Sequence, residues 1–115
     1  MHESGLTEDL FTHALQHARE ANARRILRVR VRIGALADAT SESIRFYFDS
    51  LAPGTLAEGA TLEFETAPGE AHCNACGRDV TIDELFAACP LCGAFPLVVT
   101  GGNAVHLDSL DVETG

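Results

Sequence analysis

The stretch Leu27-Arg28-Val29-Arg30-Val31-Arg32-Ile33-Gly34 alternates an apolar residue with an arginine three times before ending on Ile-Gly. A period of two puts Leu27, Val29, Val31 and Ile33 on one side of a β-strand and the three arginines on the other. The reading is a strand with one buried face and one wet, basic face. Upstream, Leu6, Leu10, Phe11, Ala14, Leu15, Ala18 and Ala21 recur at intervals of three and four, so residues 6 to 21 predict an amphipathic helix. Ser4 or Thr7 can cap its start, Glu8 and Asp9 suit the positive end of its dipole, and Arg19, Arg24 and Arg25 suit the other end. Downstream, a small-residue loop (35 to 40) leads to Ser41 as the cap of a second helix. That helix carries Ile44, Tyr47, Phe48 and Leu51 on one side and stops at Pro53 and Gly54.

A second alternating run sets Leu62, Phe64 and Thr66 against Glu63 and Glu65, and its acidic face can lie across from the arginines of the first strand. In the last run Val105 and Leu107 share one register while Leu110 and Val112 take the opposite one. An extra residue near Ser109, and hence a β-bulge, is expected. The fold class is therefore α+β, a small mixed β-sheet of about three strands with two helices, and the segment that carries two Cys-x-x-Cys pairs, Cys73/Cys76 and Cys89/Cys92, reads as an inserted zinc-ribbon-like domain. The expected division is residues 1–69 with 99–115 as one domain and 70–98 as the insertion.

The 115 residues suit one compact domain with a modest core. No run approaches the roughly 18 consecutive apolar residues of a membrane span, and the start MHESGLTEDL is acidic where a secretory signal is basic and then apolar. The expectation is a soluble, cytoplasmic protein with no membrane partner. A formal charge of -9 repels a phosphate backbone, so nucleic acid is not an expected partner. Residues 1–48 hold seven arginines and six acids, and residues 49–115 hold Arg78 alone against eleven acids. Any basic surface must therefore lie in the first half.

The four cysteines form two matching units, Cys73-Asn74-Ala75-Cys76-Gly77 and Cys89-Pro90-Leu91-Cys92-Gly93. In each, the glycine can take the left-handed conformation that frees backbone N–H groups to point at the thiolate sulfurs. Four soft anionic donors suit tetrahedral Zn(II), and with all four positions filled by protein the metal is structural. Between the pairs only Val80, Ile82, Leu85 and Phe86 are large and apolar, too few to hold the segment by burial, so zinc is expected to be required for its folding. Two disulfides, four free thiols or a rubredoxin-type iron are the alternatives; iron of that kind packs several aromatics around itself, and only Phe86 and Phe95 are on offer. His72 beside Cys73 is a candidate competing ligand, read by default as a solvated neighbour.

Met1-His2-Glu3 carries a second coordination chemistry. With histidine in second place, the terminal amine, the deprotonated backbone nitrogen of His2 and its imidazole close two fused chelate rings on one metal. Three coplanar nitrogens match the square-planar preference of Ni(II) or Cu(II) and not that of zinc. The bulk of His2 disfavours removal of Met1, which keeps the amine in reach. No catalytic set accompanies this: no nucleophile with a base, no phosphate loop and no open hydrolytic metal site, so an enzyme is not expected.

Taken together, Met1-His2-Glu3, the Val29-to-Gly34 strand ending in Ile-Gly, the Cys73/Cys76 and Cys89/Cys92 pairs and the terminal Leu107-Asp108-Ser109-Leu110-Asp111-Val112-Glu113 run resemble the HypA/HybF family of hydrogenase nickel-incorporation proteins over nearly the whole chain. The resemblance implies a nickel metallochaperone, with Ni(II) as transient cargo and Zn(II) as structural metal. It implies His2 as principal nickel ligand, the Met1 amine beside it and Glu3 in support. It further implies delivery to the hydrogenase large-subunit precursor together with the GTPase HypB, and leaves a homo-oligomer open. Some relatives carry a histidine just after each cysteine pair; Gly77 and Gly93 stand there in this chain. Asp38 is a candidate fourth, oxygen ligand for nickel, although loop aspartates commonly face water. His13 and His17, one helical turn apart, are read as half-exposed packing residues, and His106 as solvated. A zinc-ribbon adaptor that binds only a protein partner is the alternative, with a zinc-ribbon regulator of nucleic acid third.

Overall fold

The structure, a computed structural model, describes residues 3–114, with side chains from residue 5 onward. Its elements are α1 (Glu3–Glu20), β1 (Ala23–Gly34), α2 (Ser41–Leu51), β2 (Thr61–Ala67), β3 (Gly69–His72), β4 (Asp79–Ile82), β5 (Val98–Gly101) and β6 (Val105–Thr114). They fall into two compact units, one of residues up to Arg32, Ala39–Glu65 and His106 onward, the other of Ile33–Asp38 and Thr66–Val105.

In the first unit α1 buries Phe11, Ala14 and Ala18, members of the predicted apolar face, and also Thr7. The helix begins at Glu3, so Thr7 lies inside its second turn and is not a cap. Phe11 meets Phe48 of α2 edge-on, with ring centroids 5.3 Å apart, a geometry worth about 0.5–1.5 kcal/mol beyond burial. The cap of α2 is Thr40, one residue before the expected Ser41. Its extended backbone lets Oγ1 accept from the Ser43 N–H at 3.1 Å, while the Thr40 N–H donates to Ser43 Oγ at 3.3 Å.

The sheet of this unit has the order β2-β1-β6. On its charged face Arg28 and Arg30 pair with Glu63 and Arg32 with Glu65, so the partners ascend together along β1 and β2. Along β6 they descend: Arg24 with Glu113, Arg28 and Arg30 with Asp111, Arg32 with Asp108. β1 thus runs parallel to β2 and antiparallel to β6, and α2 lies in the crossover that a parallel pair requires. The sheet is mixed, as expected, but β6 supplies acids that the sequence reading did not assign to the arginines. Arg28 Nε reaches 3.1 Å from Glu63 without the alignment of a hydrogen bond, so that contact is charge alone. The hydrogen bond from Arg30 holds the Asp111 carboxyl below its ordinary value, against burial and with the charges of Arg30 and Arg28 assisting. A depressed carboxyl contributes stability above its ordinary pKa and loses it as pH falls through the lowered value.

Below this face lie Ile26, Val29 and Val31, each 1–2% exposed, whereas Leu27 is 41% exposed. The predicted alternation holds from Val29 onward and fails at its start. Ile26 takes the inward place, its N–H bonded to the Leu56 carbonyl at 2.8 Å, and the odd spacing to Val29 turns Leu27 outward. On β6 the alternation of exposure runs through Asp108 and is lost from Ser109 on.

The second unit has its own three-stranded sheet, β4-β3-β5. β3 pairs antiparallel with β4, matching Ala71 to Val80 and His72 to Asp79, and antiparallel with β5 through a bulge at Glu70/Ala71. Its core is Leu36, Ala71, Val80 and Ile82 together with Cys73 and Cys89. Leu85 and Phe86 stay exposed. Gly102, at φ +76°, sits so close to the Pro68 carbonyl oxygen and Gly69 that a Cβ would collide with both. Gly54 has a similar φ of +79° but open space around it. Gly54→Ala is expected to cost about 1–2 kcal/mol, for backbone conformation alone. Gly102→Ala should cost roughly 1–3 kcal/mol more, because backbone cannot yield as a side chain tip can. Urea midpoints of the two variants check the difference.

Candidate metal centre

Two hairpin turns of identical construction bring the cysteines together. In the first, the Cys73 N–H donates to the Arg78 carbonyl at 2.9 Å and the Gly77 N–H to the Cys73 carbonyl at 2.8 Å. In the second, the Cys89 N–H donates to the Ala94 carbonyl and the Gly93 N–H to the Cys89 carbonyl, both at 2.8 Å. Gly77 and Gly93 have φ of +72° and +79° with nothing within 4 Å of an added Cβ. The left-handed backbone, not lack of room, is what calls for glycine there.

The four Sγ atoms lie within 4.8 Å of one another, with Cys73 to Cys92 at 3.6 Å and Cys76 to Cys89 at 3.9 Å. Four sulfurs at about 2.3 Å from a tetrahedral zinc stand about 3.8 Å apart, so the donor set fits that ion in kind and spacing. A disulfide needs about 2.05 Å, and all four thiols are free. The centre is half inside the protein: Cys73 and Cys89 are buried, Cys76 is half-buried and Cys92 exposed.

The local field divides the sulfurs. The Cys76 N–H leads in pulling the Cys73 thiol below its ordinary value, against burial, helped by the Cys92 thiol and the Ala75 N–H. Burial pushes Cys89 up, but the N–H groups of Cys92 and Leu91 and the neighbouring thiols outweigh it and bring the group to about 6. At Cys92 the Ala94 N–H acts downward, yet the Cys73 thiol, burial, Cys89 and Cys76 push it up to about 12. One cluster therefore holds anionic sulfur beside sulfur that keeps its proton, the situation a divalent cation resolves by replacing the protons.

His72 does not join the cluster; its Nδ1 lies 2.8 Å from the carboxylate of Asp79, its cross-strand partner. Phe86 and Phe95 are 84% and 58% exposed, which gives an iron centre no aromatic shell. Asp38 is exposed in the loop between β1 and α2, and His106 is exposed. His13 and His17 are exposed, the His17 side chain to 64%, and lie off the buried stripe of α1, which runs through Thr7, Phe11, Ala14 and Ala18. Met1 and His2 lie outside the described residues, as does the side chain of Glu3, whose backbone opens α1. The sequence reading missed Leu36, which packs on the buried cysteines from a loop far away in the chain.

Fold and site define a small α+β protein with four cysteines clustered as a zinc site would have them. Comparison with known proteins narrows this. The family model described as "Hydrogenase/urease nickel incorporation, metallochaperone, hypA" matches residues 1–112. The hydrogenase maturation factor HypA of Methylocella silvestris is 39% identical over 113 residues, 98% of this chain and 100% of that one. That of Acidithiobacillus ferrooxidans is 40% identical with the same coverage. The solution structure of the Ni metallochaperone HypA from Helicobacter pylori superposes with a TM-score of 0.72 at 24% identity over the whole of both chains. A further HypA solution structure gives 0.73 at 25% identity, covering 100% of this chain and 98% of that one. The chain belongs to the HypA family of nickel metallochaperones, maturation factors in hydrogenase nickel incorporation and not enzymes. Among the described residues no helix is long and apolar enough to cross a membrane.

Proposed function

We propose that this chain binds Ni(II) through the Met1 amine and the backbone and imidazole nitrogens of His2, with Glu3 in support, and hands it to the hydrogenase large-subunit precursor together with the GTPase HypB. The observation that carries the reading is a family match that begins at residue 1 and so includes Met1-His2-Glu3. In the same reading Cys73, Cys76, Cys89 and Cys92 hold a structural Zn(II), residues 70–98 are the zinc domain, and residues 1–69 with 99–115 are the nickel-binding domain. The zinc assignment is supported by the sulfur spacing, close to a tetrahedron's edge. When bound, zinc supplies cross-links between the two cysteine turns; it has no open position for chemistry. A cytoplasmic setting, which keeps thiols reduced, belongs to the proposal.

Nickel must displace protons from an amine with an ordinary pKa near 7.7–8.0, from an imidazole near 6.5 and from a backbone amide. Binding should release protons and weaken as pH falls. Between about pH 7.5 and 6 the protein is expected to lose nickel and keep zinc, because a closed set of four thiolates binds zinc more tightly and the bound cation itself lowers the thiol pKa values. The test is calorimetric titration of zinc-loaded protein with Ni(II), followed by a pH series with both metals counted after desalting. One tightly bound nickel beside one zinc at pH 7.5, and that nickel alone lost at pH 6, is the expected result; the tight nickel retained at pH 6, or joint loss of both metals, overturns the ligand set.

A further inference from the structure

His13 and His17 stand one turn apart on α1, four residues from each other, and both are exposed. Residues so spaced share a helix face with Cβ atoms about 5–6 Å apart, near enough for two imidazoles to chelate one ion, as paired helical histidines do in zinc sites. Neither ring is buried against the sheet, so both are free to turn toward a shared metal. The Nδ1 of His17 lies 3.6 Å from the Glu20 carboxylate, and both side chains are 64% exposed, so this contact does not tie the ring down. His17 also lines an open hollow with Leu107, Asp108 and Ser109, which leaves room for the water ligands that two imidazoles do not replace.

We propose that His13 and His17 form a second, weaker Ni(II) site on the surface of α1. It is a chelate of neutral imidazoles, so it accepts the late first-row divalent ions that prefer nitrogen. His13 lies about 15 Å along the helix from Glu3, too far to share an ion with the terminal motif. The site therefore stands or falls independently of the nickel reading given above.

The experiment uses the full zinc-loaded chain carrying His2→Ala, with NiCl2 as the probe and histidine ring NMR signals as the readout. Paramagnetic broadening is expected at His13 and His17 at the same nickel concentration, with His72 and His106 still sharp. A chelate requires both rings. His13→Gln or His17→Gln alone should thus remove nearly all the binding that the double substitution removes. Equal broadening of all four histidines, or single substitutions that each remove only half the binding, would mean independent imidazoles and would overturn the proposal.

Discussion

His2→Ala is expected to abolish tight nickel binding, with a loss of more than about 100-fold in affinity, beyond what removal of a mere outer-shell partner costs. The substitution deletes the imidazole nitrogen and with it the second chelate ring. What remains is an amine whose neighbouring backbone nitrogen has no second anchor to favour its deprotonation. Zinc content and the protection of backbone amides should be unchanged, since residue 2 precedes α1 and, among the described residues, the buried side chains of that helix begin at Thr7. Adding one residue before Met1 should weaken nickel binding similarly, by turning the amine into an amide and moving the new amine out of reach. Calorimetry on zinc-loaded protein measures both, and an undiminished tight nickel site in either variant would overturn terminal ligation.

Cys73→Ser carries the largest expected effect on stability. Cys73 is 1% exposed and is at once a metal donor and a member of the core of the second unit. Apart from cysteines, that core has only Leu36, Ala71, Val80 and Ile82 as buried members, beneath strands of four residues each. Structural zinc contributes of order 10–16 kcal/mol of apparent binding energy in small sites, far more than those side chains can supply. Removing one thiolate should collapse zinc affinity and leave β3, β4 and β5 without amide protection. The first unit should persist, because Phe11, Ile26, Val29, Val31, Ile44, Phe48 and Leu62 form a core of its own. Hydrogen exchange followed residue by residue decides it: protection across 69–101 that survives the substitution, or survives strong chelation of the wild type, would show that the segment folds without metal.

Periodicity and ligand spacing carried the local part of this fold into plain view. The arginine alternation from Val29 to Ile33, the apolar stripe of α1, the Glu63 and Glu65 face of β2 and the two Cys-x-x-Cys-Gly turns each depend on residues within a few positions of one another, where sequence pattern and geometry coincide. The proposed nickel chelate of Met1-His2-Glu3 likewise rests on consecutive residues alone, and it lies at the edge of the described residues. Tertiary structure decided what depends on distant partners. Ile26 displaced Leu27 from the buried face where the chain bonds to Leu56, and Asp108, Asp111 and Glu113 met the arginines only because β6 returns beside β1. The sheet β4-β3-β5 depends on β5 returning to β3 from beyond the second cysteine pair, and Leu36 joins the cysteines from a distant part of the chain. Thr40 outcompeted Ser41 as cap because the helix axis, fixed by Ile44 and Phe48 against the core, left Thr40 in the extended backbone from which a side chain can reach back to Ser43. Packing chooses among locally equivalent residues, and no window of a few residues records that choice.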